Sequence, residues 1–272
     1  MKKLLAITAL SAALFFGQTA VAEEIAVEEV KPSHVELVLV LDECGSLSDL
    51  TRDTIGGFNS MIEKEKKLDV DAHVTTVLFN DQYKMLYNRR ELKDVSKMTD
   101  KDYTPGGMTA LLDAVGRTIH KMDMVSGIHR KDKGKKVLFV IITDGEENDS
   151  KDYTYADVKK LIKDRQENAG WEFIFLGANI DAAAEAENLG IDRDRAVKYK
   201  NTGSGVRANF MAVAELSDSL AKSGRVSDEW KSQVEEDTDE NIMAAPADTK
   251  EHTAPPAKPV KKHLVSKVRK AK

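Results

Sequence analysis

Two stretches of this chain leave little freedom in the choice of fold. "HVELVLVLD" at 34–42 and "KKVLFVIITDG" at 135–145 are short, nearly unbroken apolar runs, and each leads into an acid. Runs of this length without polar alternation read as strands buried on both faces, as in the centre of a parallel sheet. Such a sheet needs helical crossovers, and helical spacing stands between the strands. "TRDTIGGFNSMIEKEKK" repeats apolar residues at Ile55, Phe58, Met61 and Ile62, and "TALLDAVGRTIHKM", "YADVKKLIKDRQ", "AAAEAENLG" and "RANFMAVAELSDSLA" read as further helices. "DAHVTTVLFN", "YKMLYN", "WEFIFLGA" and "AVKY" read as additional strands. The expected fold class is therefore α/β: a doubly wound, mainly parallel central sheet with helices on both faces. The short gap between "DAHVTTVLFN" and "YKMLYN" permits a hairpin, which makes one antiparallel edge strand. Neither GxGxxG nor GxxxxGK[ST] occurs, so no motif speaks for nucleotide binding.

The ends of the chain differ from this core. Residues 1–22, "MKKLLAITALSAALFFGQTAVA", have a basic start, a short apolar middle and an Ala-Val-Ala exit. That is the pattern of a secretory signal peptide, with cleavage expected after Ala22 and a periplasmic or secreted destination. An acidic leader at 23–33 precedes a globular domain expected over 34–224. Residues 225–272 are acidic and then rich in Pro, Ala and Lys, which reads as a flexible charged tail. The basic stretch from Lys258 to Lys272 is expected to be solvated; a contact with anionic lipid or a cell-wall polymer is the sharper alternative. With a net charge of −5, the chain has no global electrostatic case for nucleic acid. Cys44 is its only cysteine, so no internal disulfide is possible.

Ligands of doubly wound sheets bind beyond the carboxyl ends of strands where the strand order reverses. Three stretches place oxygen-bearing residues there: "DECGS" at 42–46, "TPGGMTALLDAVG" at 104–116 and "ITDGEEND" at 142–149. Two carboxylates and two hydroxyls make a hard-oxygen set suited to Mg²⁺, Mn²⁺ or Ca²⁺. Together, "LDECGSL", "TPGGMTALLDAVG", "VIITDGEEN" and "WEFIFLGANIDA" resemble a bacterial branch of the von Willebrand factor A domain family and its metal-ion-dependent adhesion site. The resemblance runs from Val35 to Ala221. It implies Mg²⁺ or Mn²⁺ held by Asp42, Ser46, Thr109 and Asp144, with Ser46 and Thr109 binding directly and the aspartates close in or acting through water. It also implies a protein partner that offers an acidic side chain to complete the metal shell.

Cys44 stands where the family pattern has its first serine, and a neutral thiol suits Mg²⁺ poorly. Retained but weakened ion binding is the leading expectation. The other outcomes are drift towards Mn²⁺ or Zn²⁺, a decayed site serving a metal-independent structural or stress-related module, and a thiol redox sensor. Glu43, Glu146, Glu147 and Asp149 read as solvated loop carboxylates, and Asp113 as a residue that orients the helix start. Asn148-Asp149-Ser150 fits the N-glycosylation pattern. His34, His73, His120 and His129 show no metal-ligand spacing. No enzyme is expected: a cysteine nucleophile lacks its base, and a metal hydrolase would want more ligands than the sequence assembles.

Overall fold

A computed structural model of the protein describes residues 34–68, 70–125 and 135–235. The expected signal peptide and leader (1–33), His129 and the basic stretch at 258–272 lie outside the described residues. Six strands form one sheet: β1 His34–Asp42, β2 Ala72–Phe79, β3 Tyr83–Glu91, β4 Lys135–Thr143, β5 Glu172–Gly177 and β6 Ala196–Lys198. Their order is β3-β2-β1-β4-β5-β6; β3 runs antiparallel to β2 and every other pair is parallel. The mainly parallel sheet and its single antiparallel edge strand are as the sequence patterns imply.

The helices are α1 Thr51–Lys67, α2 Leu111–Asp123, α3 Tyr155–Asp164, α4 Ala182–Leu189, α5 Gly203–Ser223 and α6 Ser232–Glu235. Alternation along β1 shows how the sheet is clad. Val35, Leu37, Leu39 and Leu41 enter the core beneath α1 and α5, whereas Val38 and Val40 enter the core beneath α2, α3 and α4. A strand with no polar face thus feeds two cores at once. Burial of Val38, Leu39 and Val40 is complete. Among the described residues, no helix is long and apolar enough to cross a membrane.

Two features depart from the sequence reading. Strand β3 runs three residues past "YKMLYN", with a register shift against β2 between Val74 and Thr76. The fold also continues past residue 224, into the stretch expected to be tail. Val226, Trp230 and Val234 join the core beneath α1 and α5, with Trp230 only 2% exposed. Acidic neighbours hide these residues in a compositional reading: the stretch is polar on average but spaces its apolar side chains at 226, 230 and 234, one per helical turn.

Candidate functional site

The strand order reverses between β1 and β4. The chain leaves β1 towards β2 and β3, then returns to β4 on the other side of β1. Asp42 closes β1 and Asp144 directly follows β4, so the two acids flank the reversal.

Asp42 is buried, and both of its carboxylate oxygens accept hydrogen bonds: from the Cys44 backbone N–H to Oδ1 at 2.8 Å and from Thr143 Oγ1 to Oδ2 at 2.6 Å. Burial outweighs these bonds and pushes Asp42 up to about 6. Its backbone carbonyl accepts from the buried Tyr103 hydroxyl at 2.8 Å. Ser46, in the exposed turn Gly45–Leu50, donates to Asp144 Oδ1 at 2.8 Å. The Cys44 thiol donates to the same oxygen at 3.2 Å and lies 3.0 Å from Ser46 Oγ. Ligand atoms of Asp42, Cys44 and Asp144 all lie within 4.8 Å of one another. Asn201 reaches Asp144 Oδ2 at 3.3 Å.

The thiol is 4% exposed. Burial, with the Asp42 charge behind it, pushes Cys44 up to about 12. It is therefore a neutral thiol that donates a hydrogen bond to a carboxylate.

Thr109 is held by its backbone. Its N–H donates to Asn148 Oδ1 at 2.9 Å and its carbonyl accepts from the N–H groups of Asn148 at 3.0 Å and Asp149 at 3.3 Å. It precedes α2 by two residues instead of opening the helix. The loop before it is tied to its neighbours: the Gly106 N–H donates to the Glu43 carbonyl at 2.9 Å, and Asn80 Nδ2 donates to the Gly106 carbonyl at 2.7 Å. Gly107 has φ +77°, and a Cβ there would sit 1.9 Å from Asp81 Oδ1, so the position admits only glycine without rearrangement. A Cβ on Gly145 would lie 3.8 Å from Thr109 Oγ1, which places that hydroxyl beside the turn that carries Asp144.

The structure thus brings Asp42, Cys44, Ser46 and Asp144 into one hydrogen-bonded cluster and sets Thr109 at its edge. Two carboxylates expected to be solvated are structural instead. Glu43 is 5% exposed and accepts from the Thr104 N–H. Glu147 accepts from the N–H groups of Leu112, Asp149 and Ser150 at 2.7–2.9 Å. Asp113 likewise gathers the N–H groups of Lys151, Asp152 and Tyr153 at 2.9–3.2 Å, which moors the loop after β4 to α2. Asn148, the asparagine of the glycosylation pattern, is engaged with Thr109.

The residues present fit a hard divalent cation in their oxygens. Two carboxylates and an exposed serine hydroxyl converge, and Thr109 Oγ1 has no hydrogen-bond partner among the described residues. The thiol is the one donor of the wrong softness.

Comparison with known proteins agrees with this architecture. The pilus adhesin SpaC from Lactobacillus rhamnosus GG superposes with a TM-score of 0.53 at 14% identity, over 71% of this chain and 31% of that one. A von Willebrand factor type A protein from Catenulispora acidiphila gives 0.48 at 16% identity, over 69% and 43%. Proximal thread matrix protein 1 from the mussel byssus gives 0.46 at 16%, over 70% and 47%. This chain therefore spans less than half the length of each. A comparison with curated proteins returned no match. The family model of the von Willebrand factor type A domain matches residues 36–209, most of the chain, and the protein belongs to that family.

Proposed function

We propose that this protein is an exported binding module that takes a protein partner through a divalent cation held on the rim of Asp42, Ser46, Thr109 and Asp144. The observation that carries the proposal is the meeting of two buried carboxylates and an exposed hydroxyl at the strand-order reversal. Mg²⁺ or Mn²⁺ bound there would supply a Lewis-acidic centre with an open position, which a partner's Asp or Glu would fill. The protein's own part is preorganisation. Thr143 and the Cys44 backbone hold Asp42, Asn201 steadies Asp144, and Asn148 fixes Thr109. Ser46 is exposed, so the rim is open to a macromolecule. SpaC, described as a pilus adhesin, shares the fold, and adhesion through this rim fits that likeness. The signal-peptide pattern at 1–22 supports export. Binding, and no catalysis, is the reading for this site, because burial and the neighbouring carboxylates of Asp42 and Asp144 oppose thiolate formation at Cys44.

One observation favours the metal-independent reading instead: Asp144 Oδ1 already accepts from both Cys44 and Ser46, so the cluster is satisfied by protons alone. Burial of the thiol weighs against the redox reading. Calorimetry with Mn²⁺ on the full chain separates the first two. We expect weak binding by the native protein, about tenfold tighter binding by Cys44→Ser as a hard donor replaces a soft one, and none by Thr109→Ala. If Cys44→Ser also binds no Mn²⁺ or Mg²⁺, the rim is not a cation site and the metal-independent reading replaces this one.

A further inference from the structure

At the opposite end of the sheet, three side chains that are unremarkable in sequence meet. His34 and Glu36 start β1, and His73 stands on β2 in direct register with Glu36. All three point to the α2 side. His34 Nε2 lies 2.8 Å from His73 Nδ1 and 3.4 Å from Glu36 Oε1, and His73 Nδ1 lies 3.4 Å from the same Oε1. Four ligands at zinc–nitrogen and zinc–oxygen distances around a tetrahedral ion stand about 3.3 Å apart, and these three separations bracket that edge.

Asp71 Oδ1 lies 3.1 Å from His34 Nδ1, which anchors that ring and turns Nε2 towards the cluster. Glu36 is 1% exposed on a central strand, where a carboxylate is costly unless a cation answers it. Arg89 supplies one, with Nε 3.0 Å and Nη2 2.5 Å from the two Glu36 oxygens. It reaches in from β3 at the register shift, from a backbone with φ +46°. Burial would raise Glu36, but the hydrogen bonds from His34 and Arg89 outweigh it and hold the carboxyl down at about 2.

Arg89 alone does not satisfy the rings. Its Nη2 lies 3.2 Å from His73 Nδ1 and so asks that nitrogen to accept. A neutral His34, with its proton on the Asp71 side, would ask the same nitrogen to donate. A positive charge between the rings meets both demands: a second proton on His34, which Glu36 and Asp71 favour by raising that ring, or a metal ion in the proton's place. A groove lined by His34, Asp71, Ala72, His73, Glu91 and Lys93 opens beside the cluster.

We propose that His34 Nε2, Glu36 Oε1 and His73 Nδ1 form a second metal site, selective for a borderline ion of the zinc class and distinct from the hard-oxygen rim. Two imidazoles and one carboxylate are the donor set such an ion prefers, and the fourth position faces the groove. Asp71 acts through His34 as a positioning residue.

The test uses the untagged full chain with Mg²⁺ in excess, titrated with Co²⁺ as a coloured probe for zinc and then with Zn²⁺ by calorimetry. One Co²⁺ per chain should bind with the intense visible absorption of a tetrahedral N/O site, and Zn²⁺ should displace it. His73→Ala should abolish the absorption, while Asp144→Asn should leave it. Asp71 is 79% exposed, so Asp71→Asn spares the fold and should weaken the ion by about 10–100-fold. No tetrahedral absorption in the native chain overturns the proposal. So does absorption lost in Asp144→Asn and kept in His73→Ala, which assigns the ion to the rim, or an affinity unchanged in both His73→Ala and Asp71→Asn.

Discussion

Cys44 shows how much one side chain can alter a site without altering its frame. Its backbone N–H still organises Asp42, and its thiol still donates to Asp144, so the turn after β1 keeps its shape. What changes is the donor offered to an ion. Gly107 is the reverse case, where the frame itself depends on the residue. A Cβ at φ +77° costs about 1–2 kcal/mol on conformational grounds, and Asp81 would also have to move. Gly107→Ala should lower the free energy of unfolding by that amount in urea titrations, and it should weaken Mn²⁺ binding to Cys44→Ser by shifting Thr109. An unchanged urea midpoint would show that the loop relaxes freely. Residues such as Asp42, Ser46 and Asp144 were legible from sequence because each stands next to a strand end or a glycine. His34 and His73 were not, because only the register of β1 against β2 makes neighbours of residues so far apart in the chain.

At the scale of elements, the contact of α1 with α5 carries a buried acid. Glu65 Oε2 accepts from Ser217 Oγ at 2.9 Å, while Oε1 has no partner. Burial pushes Glu65 up to about 8, so the folded protein holds a proton that the unfolded chain releases near the ordinary carboxylate range. The stability this proton gives is fully present below the unfolded value and is lost as pH rises from about 4.5 through 8. The loss should amount to a few kcal/mol, on the order expected of a shift this large. Glu65→Gln keeps the shape and the hydrogen bond without the titration. Melting temperatures from pH 5 to 9 should fall for the native chain across this window and fall less for the variant; parallel curves would show that water reaches Glu65. Helix and strand identities from β1 to α5 were readable from sequence patterns, whereas α6 was not. Glu65 itself was invisible as a core residue, because a lysine-rich helix end disguises the one acid that turns inward.

For the molecule as a whole, the domain is larger than its composition suggests. Trp230, beyond the expected boundary, closes the core under α1 and α5 together with Val226 and Val234. Trp230→Ala should cost about 3–5 kcal/mol, the usual range for deleting a buried aromatic side chain. Chemical denaturation reads this directly, and a loss below 1 kcal/mol would mean that the 225–235 segment is a loosely held flap.

The sheet's two margins bear on how such a protein behaves at high concentration. On one side β6 offers only three residues, and on the other β3 carries Lys84, Arg89 and Arg90 and is irregular in register. Short, charged or bent margins resist the addition of a foreign strand. Backbone pairing between copies is therefore disfavoured at both margins of the described sheet, which leaves lasting association of this domain chiefly to side-chain contacts.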